Sequence, residues 1–302
     1  MDDAALFEPH RAHLRGVAYR MLGSLSEADD AVQEAWLRLA RSDTDGVVNL
    51  RAWLTTVVSR VCLDMLRSRA SRREDPLDVH VPDPVVRLLP GPGTEAPEGP
   101  EDRAVLADSV GLALLVVLDT LSPSERLAFV LHDVFAVPFD EIGVVLERSP
   151  GAAKQLASRA RARLRAAGPH ADPARARGAD ARHHRDVVEA FVAASRDGDL
   201  ERLARLLAPD VTLHADTGAG PAGPSRTVRG ADAVIAQARQ FAALATAARV
   251  VLVNGVAGVL VAPHGKPFAV LGFTVDDGLV TELDILADPD RLARLDLTAV
   301  LP

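Results

Sequence analysis

The sequence predicts a multidomain protein in which two all-α blocks, the second with a helix-turn-helix, precede an α+β block. Up to about residue 167, apolar residues recur at helical spacing, while the last third turns to short apolar runs separated by Gly-containing turns. Residues 74–102 hold seven prolines and eight acids, which is typical of an extended linker. The predicted blocks are therefore 5–73, 103–167 and 183–297.

Composition narrows the class of protein. The 302 residues are 48% hydrophobic, which is enough to form a hydrophobic core. The net charge of −8 argues against a protein that binds nucleic acid over its whole surface. The single cysteine, Cys62, excludes an internal disulfide and favours a reducing compartment. The N-terminus lacks the apolar core of a signal peptide, and the longest apolar run, 110–118, is too short to cross a membrane. We expect a cytoplasmic protein with no membrane partner.

The first block is predicted to contain two amphipathic helices. Ser26 and Asp29 resemble a capping box at the start of SEADDAVQEAWLRLA, whose apolar stripe faces a core. The second helix, NLRAWLTTVVSRVCLDMLRSR, is basic towards its end. Between residues 60 and 73 one acid, Asp64, stands against five basic residues, namely Arg60, Arg67, Arg69, Arg72 and Arg73.

The second block ends in a basic helix. The sequence SPSE at 122–125 predicts a capping box, and PFDEIGVVLER predicts a short helix after it. Ser149 suits an N-cap and Pro150 the first helical position of SPGAAKQLASRARARLR, which contains no acid. Its apolar face consists of Ala153, Leu156, Ala160 and Leu164. Two short helices joined by a tight turn, the second one basic, predict a DNA-binding helix-turn-helix.

The third block is predicted to pack helices on an antiparallel meander. Asn254-Gly255 lies between two apolar runs, which is the strongest short-range hairpin signal. A second hairpin is predicted at Asp276-Asp277-Gly278, between FAVLGFTV and LVTELDIL.

Taken together, the two helical blocks resemble a bacterial sigma factor of the sigma-70 family, in the extracytoplasmic-function group. DDAVQEAWLRL is similar to the family's helix that binds the clamp of core RNA polymerase, and NLRAWLTTVVSRVCLDMLRSR to its promoter-melting helices. The stretch from Leu121 to Arg165 is similar to the domain that binds the −35 element. The resemblance implies a non-enzymatic function in promoter recognition, with core polymerase and promoter DNA as partners.

The resemblance also assigns site residues, and the loop 42–49 as the place where the family captures a flipped base. Polymerase binding is expected from Asp30, Gln33, Glu34 and Leu37. Binding of the −10 element is expected from Asn49, Arg60, Arg67 and Arg69. Binding of the −35 element is expected from Ser149, Lys154, Gln155, Ser158, Arg159, Arg161 and Arg165.

The third block resembles a SnoaL-like domain of the NTF2 fold, of the kind attached to SigJ-type sigma factors. Three short motifs support this: a linker motif at Val81-Pro82-Asp83-Pro84, a degraded glycine-rich loop that begins at Asp216, and a C-terminal motif at Asp288-Pro289-Asp290-Arg291-Leu292. The expected Lys of the loop is missing, and His80 stands where the linker motif usually has Trp. These residues are expected to make regulatory contacts, with the Asp-Pro-Asp-Arg turn docking on the sigma blocks.

Other chemistries are weighed against this interpretation. SnoaL-like folds include enzymes, and His214, Asp216 and Asp284 are the candidate acid–base residues, but no pair at a defined spacing supports catalysis. His10 and His13 lie one helical turn apart without a further ligand, so neither a metal site nor a cofactor is expected. The pocket of the third block remains a candidate small-molecule site. Two alternatives stay open: a ligand-sensing DNA-binding regulator, and an enzyme domain fused to a DNA-binding module.

Overall fold

A computed structural model describes residues 3–42, 47, 49–71, 79–89, 111–166, 179–218 and 223–301. The described residues form two compact units. The helical unit consists of those within 1–74 and 117–168, and the tail unit of those within 75–97, 109–116 and 169–302. Each unit is described by itself below. No helix among the described residues combines the length and the apolar character needed to cross a membrane.

Three helices begin the helical unit: α1 (Asp3–Leu22), α2 (Leu25–Leu39) and α3 (Leu50–Ser71). Leu14, Leu54 and Met21 are among their fully buried side chains. The predicted capping box at Ser26 is wrong, because α2 begins two residues earlier, after Ser24, which caps without a side-chain hydrogen bond. Asp29 instead accepts a hydrogen bond of 2.6 Å from Arg15 Nε on α1.

The second half of the chain's helical region comprises α4 (Leu112–Asp119), α5 (Pro123–Phe129), a π-helical turn (Val130–Val134), α6 (Phe139–Leu146) and α7 (Pro150–Ala166). The first five residues of α4 belong to the tail unit, and its last three belong to the helical unit. The capping box predicted at the start of α5 is confirmed, with Ser122 and Glu125 exchanging both hydrogen bonds.

Helices α6 and α7 form the predicted helix-turn-helix. Glu147 ends α6 in the left-handed region at φ 55°. The turn passes so close to Gly143 that a Cβ there would lie 2.7 Å from the carbonyl oxygen of Arg148. Glycine at this position therefore permits the tight turn.

The two predicted all-α blocks pack together within the helical unit. Arg126 of α5 is buried, and its Nε donates a hydrogen bond of 3.2 Å to the carbonyl oxygen of Arg20 in α1. Arg60 of α3 donates one of 2.8 Å to the carbonyl oxygen of Val144 in α6. His13 contacts the ring of Phe135 edge-on, with ring centroids 5.3 Å apart. Each block thus donates a side-chain hydrogen bond to a backbone carbonyl of the other.

The tail unit contains a seven-stranded sheet with the order β1-β4-β5-β6-β7-β2-β3. Strands β4 to β7 form the predicted antiparallel meander, whereas β2 pairs with β7 in parallel, so the sheet is mixed. The strands are β1 (Val86–Arg87), β2 (Leu207–Asp216), β3 (Arg226–Arg229), β4 (Ala248–Val253), β5 (Val256–Val261), β6 (Ala269–Asp276) and β7 (Leu279–Leu286). The helices are α8 (Ala179–Asp197), α9 (Leu200–Leu206), α10 (Ala231–Gln240) and α11 (Pro289–Leu292), with 3₁₀ turns at Ala242–Ala247 and Pro263–Gly265.

Both predicted hairpins are confirmed. Asn254 and Gly255 join β4 to β5 with φ values of 50° and 82°, and Asp277 and Gly278 join β6 to β7 with 46° and 79°. Positive φ at both central residues is the requirement of the tight hairpin turn that follows the twist of the strands.

The two faces of the sheet differ in chemistry because successive strand residues point to opposite sides. Leu213, Ala215, Leu283 and Ile285 line an apolar cavity of about 350 Å³, which α8 and α10 also border. The residues between them, His214 on β2 and Asp284 on β7, have titratable side chains and lie on the face away from this cavity. We call that side the polar face; it carries His214, Asp216, Glu282 and Asp284.

Part of the predicted linker contributes to the tail unit. Strand β1 pairs with β4, and just before it the backbone N–H of Val85 donates a hydrogen bond of 2.8 Å to Asn254 Oδ1. The backbone N–H of Asn254 returns a bond of 2.8 Å to the carbonyl oxygen of Val85. Residues 79–85 form neither helix nor strand, in keeping with the Pro-rich sequence.

Candidate functional site

Helix α7 presents a basic surface. Its buried face includes the four predicted apolar residues, and Ser149 Oγ accepts a hydrogen bond of 3.2 Å from the backbone N–H of Ala152, which confirms the predicted cap. Of the seven residues expected to bind the −35 element, all but the half-buried Arg161 are exposed. Those along the outer side of the helix include Lys154, Gln155, Ser158 and Arg165.

Two other residues of that set make ion pairs inside the helical unit. Arg161 contacts both carboxylate oxygens of Asp133, at 2.7 and 3.1 Å. Arg159 lies 3.4 Å from Glu125, whose carboxylate also accepts a bond of 2.9 Å from Arg163. Burial works to raise the pKa of Glu125, but hydrogen bonds from Ser122 and the two arginines outweigh it and lower the pKa overall. These arginines therefore help to fix α7 against α5 and the π-helical turn.

The residues expected at the −10 element lie on or beside α3. Asn49 caps this helix, accepting a hydrogen bond of 3.1 Å from the backbone N–H of Ala52. Arg67 is exposed, whereas Arg60 contacts α6 and Arg69 forms an ion pair with Glu27. Of the predicted base-capturing loop, residues 43–46 and 48 lie outside the described residues, as do Arg72 and Arg73.

Helix α2 carries the residues expected to bind polymerase. Asp30 and Gln33 are exposed, and Leu37 is a large apolar side chain that is 38% exposed. Glu34 forms an ion pair of 3.0 Å with Arg38 one turn later. Trp36, on the opposite side, packs edge-on against Phe7 with ring centroids 5.3 Å apart, so it supports the core.

The three short motifs of the tail meet around Arg291, in a group that we call the linker clamp: Val81, Asp83, Asp216 and Arg291. Arg291 donates hydrogen bonds of 2.8 Å to Asp83, 2.7 Å to Asp216 and 2.6 Å to the carbonyl oxygen of Val81. Asp216 also accepts a bond of 3.0 Å from the backbone N–H of Val81. All three charged side chains are at least four-fifths buried.

Neighbouring motif residues hold the clamp in place. Asp288 caps α11 by accepting hydrogen bonds from the backbone N–H groups of Asp290, at 2.9 Å, and Arg291, at 3.3 Å. Pro289 occupies the first helical position, and Leu292 is buried. Pro82 and Pro84 are buried on the linker side. The C-terminal motif thus contacts the linker motif and Asp216 within the tail unit, where the sequence had suggested docking on the sigma blocks.

The candidate acid–base residues lie outside the apolar cavity. His214 and Asp284 are on the polar face, with His214 Nδ1 lying 3.1 Å from Asp284 and 3.1 Å from Glu282. The hydrogen bonds with Asp284 and Glu282 raise the pKa of His214 to about 9, against the opposing effect of burial. Burial raises the pKa of Asp284. Asp216 belongs to the linker clamp.

Comparisons with known proteins agree with this organisation. The family model for Sigma-70 region 2 matches residues 6–72, that for Sigma-70, region 4 matches 111–164, and that for a SnoaL-like domain matches 188–283. The ECF RNA polymerase sigma factor SigJ of Mycobacterium tuberculosis is 42% identical over 299 residues, covering 94% of this chain and 91% of its own length. The chain belongs to the ECF sigma factors.

Further relatives cover nearly all of this sigma factor. A probable ECF RNA polymerase sigma factor, SigI of Mycobacterium tuberculosis, is 33% identical over 97% of this chain and 95% of its own. The crystal structure of M. tuberculosis SigJ matches with a TM-score of 0.74 at 38% identity, over 97% of this chain and 99% of that one. The predicted fold class, helical sigma domains followed by a SnoaL-like domain with a mixed sheet, is thereby confirmed.

Several contacts of this sigma factor were missed from the sequence. Glu282 was not singled out, although Glu282 and Asp284 are two residues apart on one strand and therefore share a face. Asn254 was recognised only as a turn residue, yet its side chain also binds the linker backbone. Arg163 was given no role in the sequence analysis, although its side chain forms an ion pair with Glu125.

The raised pKa of His214 predicts a pH-dependent stability of the tail. A group whose pKa is raised on folding stabilises the fold fully below its ordinary value, near 6.5, and loses this effect as the pH rises through about 9. At pH 7, the free energy of unfolding of full-length, chelator-treated wild type should therefore be larger than that of the His214→Gln variant. This difference should shrink by pH 10. Far-ultraviolet circular dichroism is the suitable probe. A difference of the same size at both pH values would contradict the assignment.

Proposed function

We propose that this sigma factor directs core RNA polymerase to promoters through three surfaces, carried by α7, α3 and α2, and that the tail modulates this activity. The observation that supports it most is the helix-turn-helix whose second helix presents Lys154, Gln155, Ser158 and Arg165 to solvent. Cationic and amide side chains on the outer side of such a helix contact phosphates and base edges in the major groove. This surface would bind the −35 element.

Helix α2 would bind the polymerase clamp. Gln33, Glu34 and Leu37 lie three, four and seven residues after Asp30, so the four residues share one side of the helix. An exposed leucine flanked by polar groups fits the pattern of a protein interface with an apolar centre and a polar rim. Because the polymerase is a cytoplasmic enzyme, this proposal also places the protein in the cytoplasm.

The −10 element would be bound by α3, with Asn49, Arg60, Arg67 and Arg69 as the contacting residues. Arg67 is exposed in the present arrangement of the helical unit, whereas Arg60 donates to the backbone of α6. Arg60 therefore has to leave α6 before it can reach DNA. We infer that α3 and α6 separate when the protein binds polymerase and promoter.

The tail would act as a built-in regulator. The linker clamp attaches residues 81 and 83 of the linker to Asp216 and Arg291, which shortens the free length of the connection between the two DNA-binding parts of the chain. A tethered domain acts at high effective concentration without a separate partner. The apolar cavity would admit a small, largely apolar molecule. The polar residues in its lining are Ser195, Thr217, Gln237, Arg226 and Arg239.

We propose no catalytic role for the tail. An acid–base mechanism needs titratable groups within reach of a bound substrate. The candidate residues His214, Asp216 and Asp284 lie on the polar face, whereas Leu213, Ala215, Leu283 and Ile285 of the same strands line the cavity.

The DNA surface is tested by the double substitution of Lys154 and Arg165 to Ala. The holoenzyme carrying it should lose about 1–3 kcal/mol of promoter affinity for each base contact removed. For each phosphate contact removed, the slope of log affinity against log salt should fall by about one unit. Affinity is measured by fluorescence anisotropy over a salt series with promoter and shuffled DNA.

The matched control is Arg182→Ala with Arg185→Ala on α8, which removes the same charge from exposed positions of the tail. It should leave promoter affinity unchanged. Arg161→Ala is made separately, because its ion pair with Asp133 gives it a structural role. Unaltered affinity and salt slope in the Lys154 and Arg165 variant would contradict the proposed −35 surface.

A further inference from the structure

Three potential metal-ligating groups converge on the polar face of the tail sheet. His214 on β2 and Asp284 on β7 are direct neighbours in the parallel register, and Glu282 lies two residues before Asp284 on the same face. One imidazole nitrogen and two carboxylate oxygens, one from each residue, all lie within 4.8 Å of one another. This group is separate from the DNA-binding, polymerase-binding and linker-clamp residues.

The distances suit a small divalent ion. His214 Nδ1 lies 3.1 Å from Asp284 Oδ1 and 3.1 Å from Glu282 Oε1. In a tetrahedral zinc site with bonds of about 2.0–2.1 Å, neighbouring ligand atoms are about 3.3 Å apart. The two distances from His214 Nδ1 to the carboxylate oxygens are therefore already close to those of a zinc site. The two carboxylate oxygens would have to move closer to one another, and the attraction of a dication between them favours this movement.

The charge balance also favours a dication. Nδ1 can carry a single proton, yet two carboxylates face it at the same distance. Asp284 is 97% buried, where an uncompensated carboxylate is costly. A divalent ion with a neutral imidazole would balance both carboxylates, whereas a protonated imidazole leaves one negative charge in excess.

An unsatisfied polar group lies beside this cluster. Thr274 of β6 is the register partner of Glu282, so their side chains share the polar face. The Thr274 hydroxyl is buried and has no hydrogen-bond partner among the described residues. Buried hydroxyls without partners are rare in native proteins and call for an unseen water or ion. A water bound to the fourth position of the metal would supply the missing partner.

The direct register partners of the cluster on the neighbouring strands are not titratable. Thr227 on β3 is the register partner of His214, and Gly272 on β6 is that of Asp284. Leu112 covers this part of β6, since a Cβ on Gly272 would lie 2.8 Å from its Cδ2. Further charges on the polar face are Arg229 of β3, the register partner of Thr212, and the linker clamp, in which Asp216 is already bound by Arg291.

We propose that His214, Glu282 and Asp284 bind a divalent transition metal ion such as Zn²⁺, with a water molecule completing the coordination. The ion would tie β2 to β7 two residues from Asp216, and so next to the linker clamp. On binding, the metal replaces the proton shared by the imidazole and the carboxylates. The Nδ1 atom of His214 must be free of its proton to bind the ion, so binding should weaken as the pH falls. This proposal stands independently of the proposed sigma-factor surfaces.

The test uses untagged full-length protein that has been treated with a chelator and dialysed. Isothermal titration with ZnCl₂ at pH 7 should show one site. Co²⁺ is the second probe, and it should give the visible absorption bands of a tetrahedral complex. Wild type that binds neither ion would overturn the proposal and leave a hydrogen-bonded histidine–carboxylate cluster.

The variants locate the site. His214→Gln and Glu282→Gln keep hydrogen-bonding groups in place, and circular dichroism checks that they fold. Each should weaken Zn²⁺ binding at least tenfold and abolish the Co²⁺ bands. The control is His264→Asn, at an exposed position between β5 and β6, which should bind like wild type. Equal affinity in His214→Gln and wild type would place the ion elsewhere and overturn the proposal.

Discussion

Replacing Arg291 with alanine is expected to destabilise the tail unit by about 3–5 kcal/mol, because it leaves the buried carboxylates of Asp83 and Asp216 without their shared cation. The backbone carbonyl of Val81 also loses a donor. The linker motif should then detach from the sheet. This is the largest effect on stability that we expect from a single substitution in the linker clamp.

The measurement is urea unfolding of the full chain followed by far-ultraviolet circular dichroism. Tryptophan fluorescence would not report on the tail, since Trp36 and Trp53 both belong to the helical unit. Arg291→Lys should rescue only part of the loss, because an ammonium group cannot bind two carboxylates and a carbonyl in the planar geometry of a guanidinium. The control, Arg294→Ala, removes an exposed charge three residues later and should have little effect. Equal stability of Arg291→Ala and wild type would show that the clamp is not a structural anchor.

The clamp also provides a test of regulation. If the tail modulates the sigma domains through the linker, removal of residues 183–302 should change transcription from the cognate promoter. Substitution of Asp288, Asp290 and Arg291 together should reproduce part of that change, since Asp288 caps the helix that carries Arg291. Identical transcription from all three proteins would exclude a regulatory tail and favour an enzymatic one.

Substitution of Asp30, Gln33 and Leu37 by alanine is expected to abolish transcription and to leave the fold intact. These side chains are exposed on α2, whereas the buried face of the helix is untouched. Truncating residues at the centre of an interface costs about 2 kcal/mol or more each, so polymerase affinity should fall at least about a hundredfold. Circular dichroism and a pull-down with purified core polymerase check the two halves of this prediction. Glu8→Ala with Arg11→Ala removes an exposed ion pair of α1 and is the control; a pull-down as strong as wild type in the α2 variant would contradict the prediction.

Local signals in the sequence were sufficient for the elements that local chemistry determines. The capping box at Ser122, the cap at Ser149 and the two Gly-containing hairpin turns depend on residues within a few positions of one another, and all four are present. The start of α2 was misplaced by two residues because Ser24 and Ser26 are both acceptable near a helix N-terminus. Asp29, which was predicted to pair with Ser26 in the capping box, instead binds Arg15 of α1. This contact is tertiary, so no local pattern in the sequence indicates it.

Contacts between distant residues could not be predicted from periodicity. Arg291 and Asp83 are 208 residues apart, and His214 and Asp284 are 70 apart, so their proximity depends on the order of strands in the sheet. The parallel pairing of β2 with β7 decides that His214 and Asp284 are neighbours, and a meander alone would not have produced it. The packing of Arg60 against α6 likewise depends on how the helical blocks meet. The resemblance to a family could supply the residues of each motif, but not these partners.

Promoter-specific transcription reconstituted from purified components tests the central claim most directly. Core RNA polymerase, the full-length chain and a linear template carrying the cognate promoter are combined, and the run-off transcript is quantified. We expect a transcript of defined length that requires the chain, that is lost with the Asp30, Gln33 and Leu37 variant, and that is reduced with the Lys154 and Arg165 variant. A transcript level that is the same with and without the chain, or the same for the wild-type and α2-variant proteins, would contradict the proposal that these surfaces bring polymerase to its promoter.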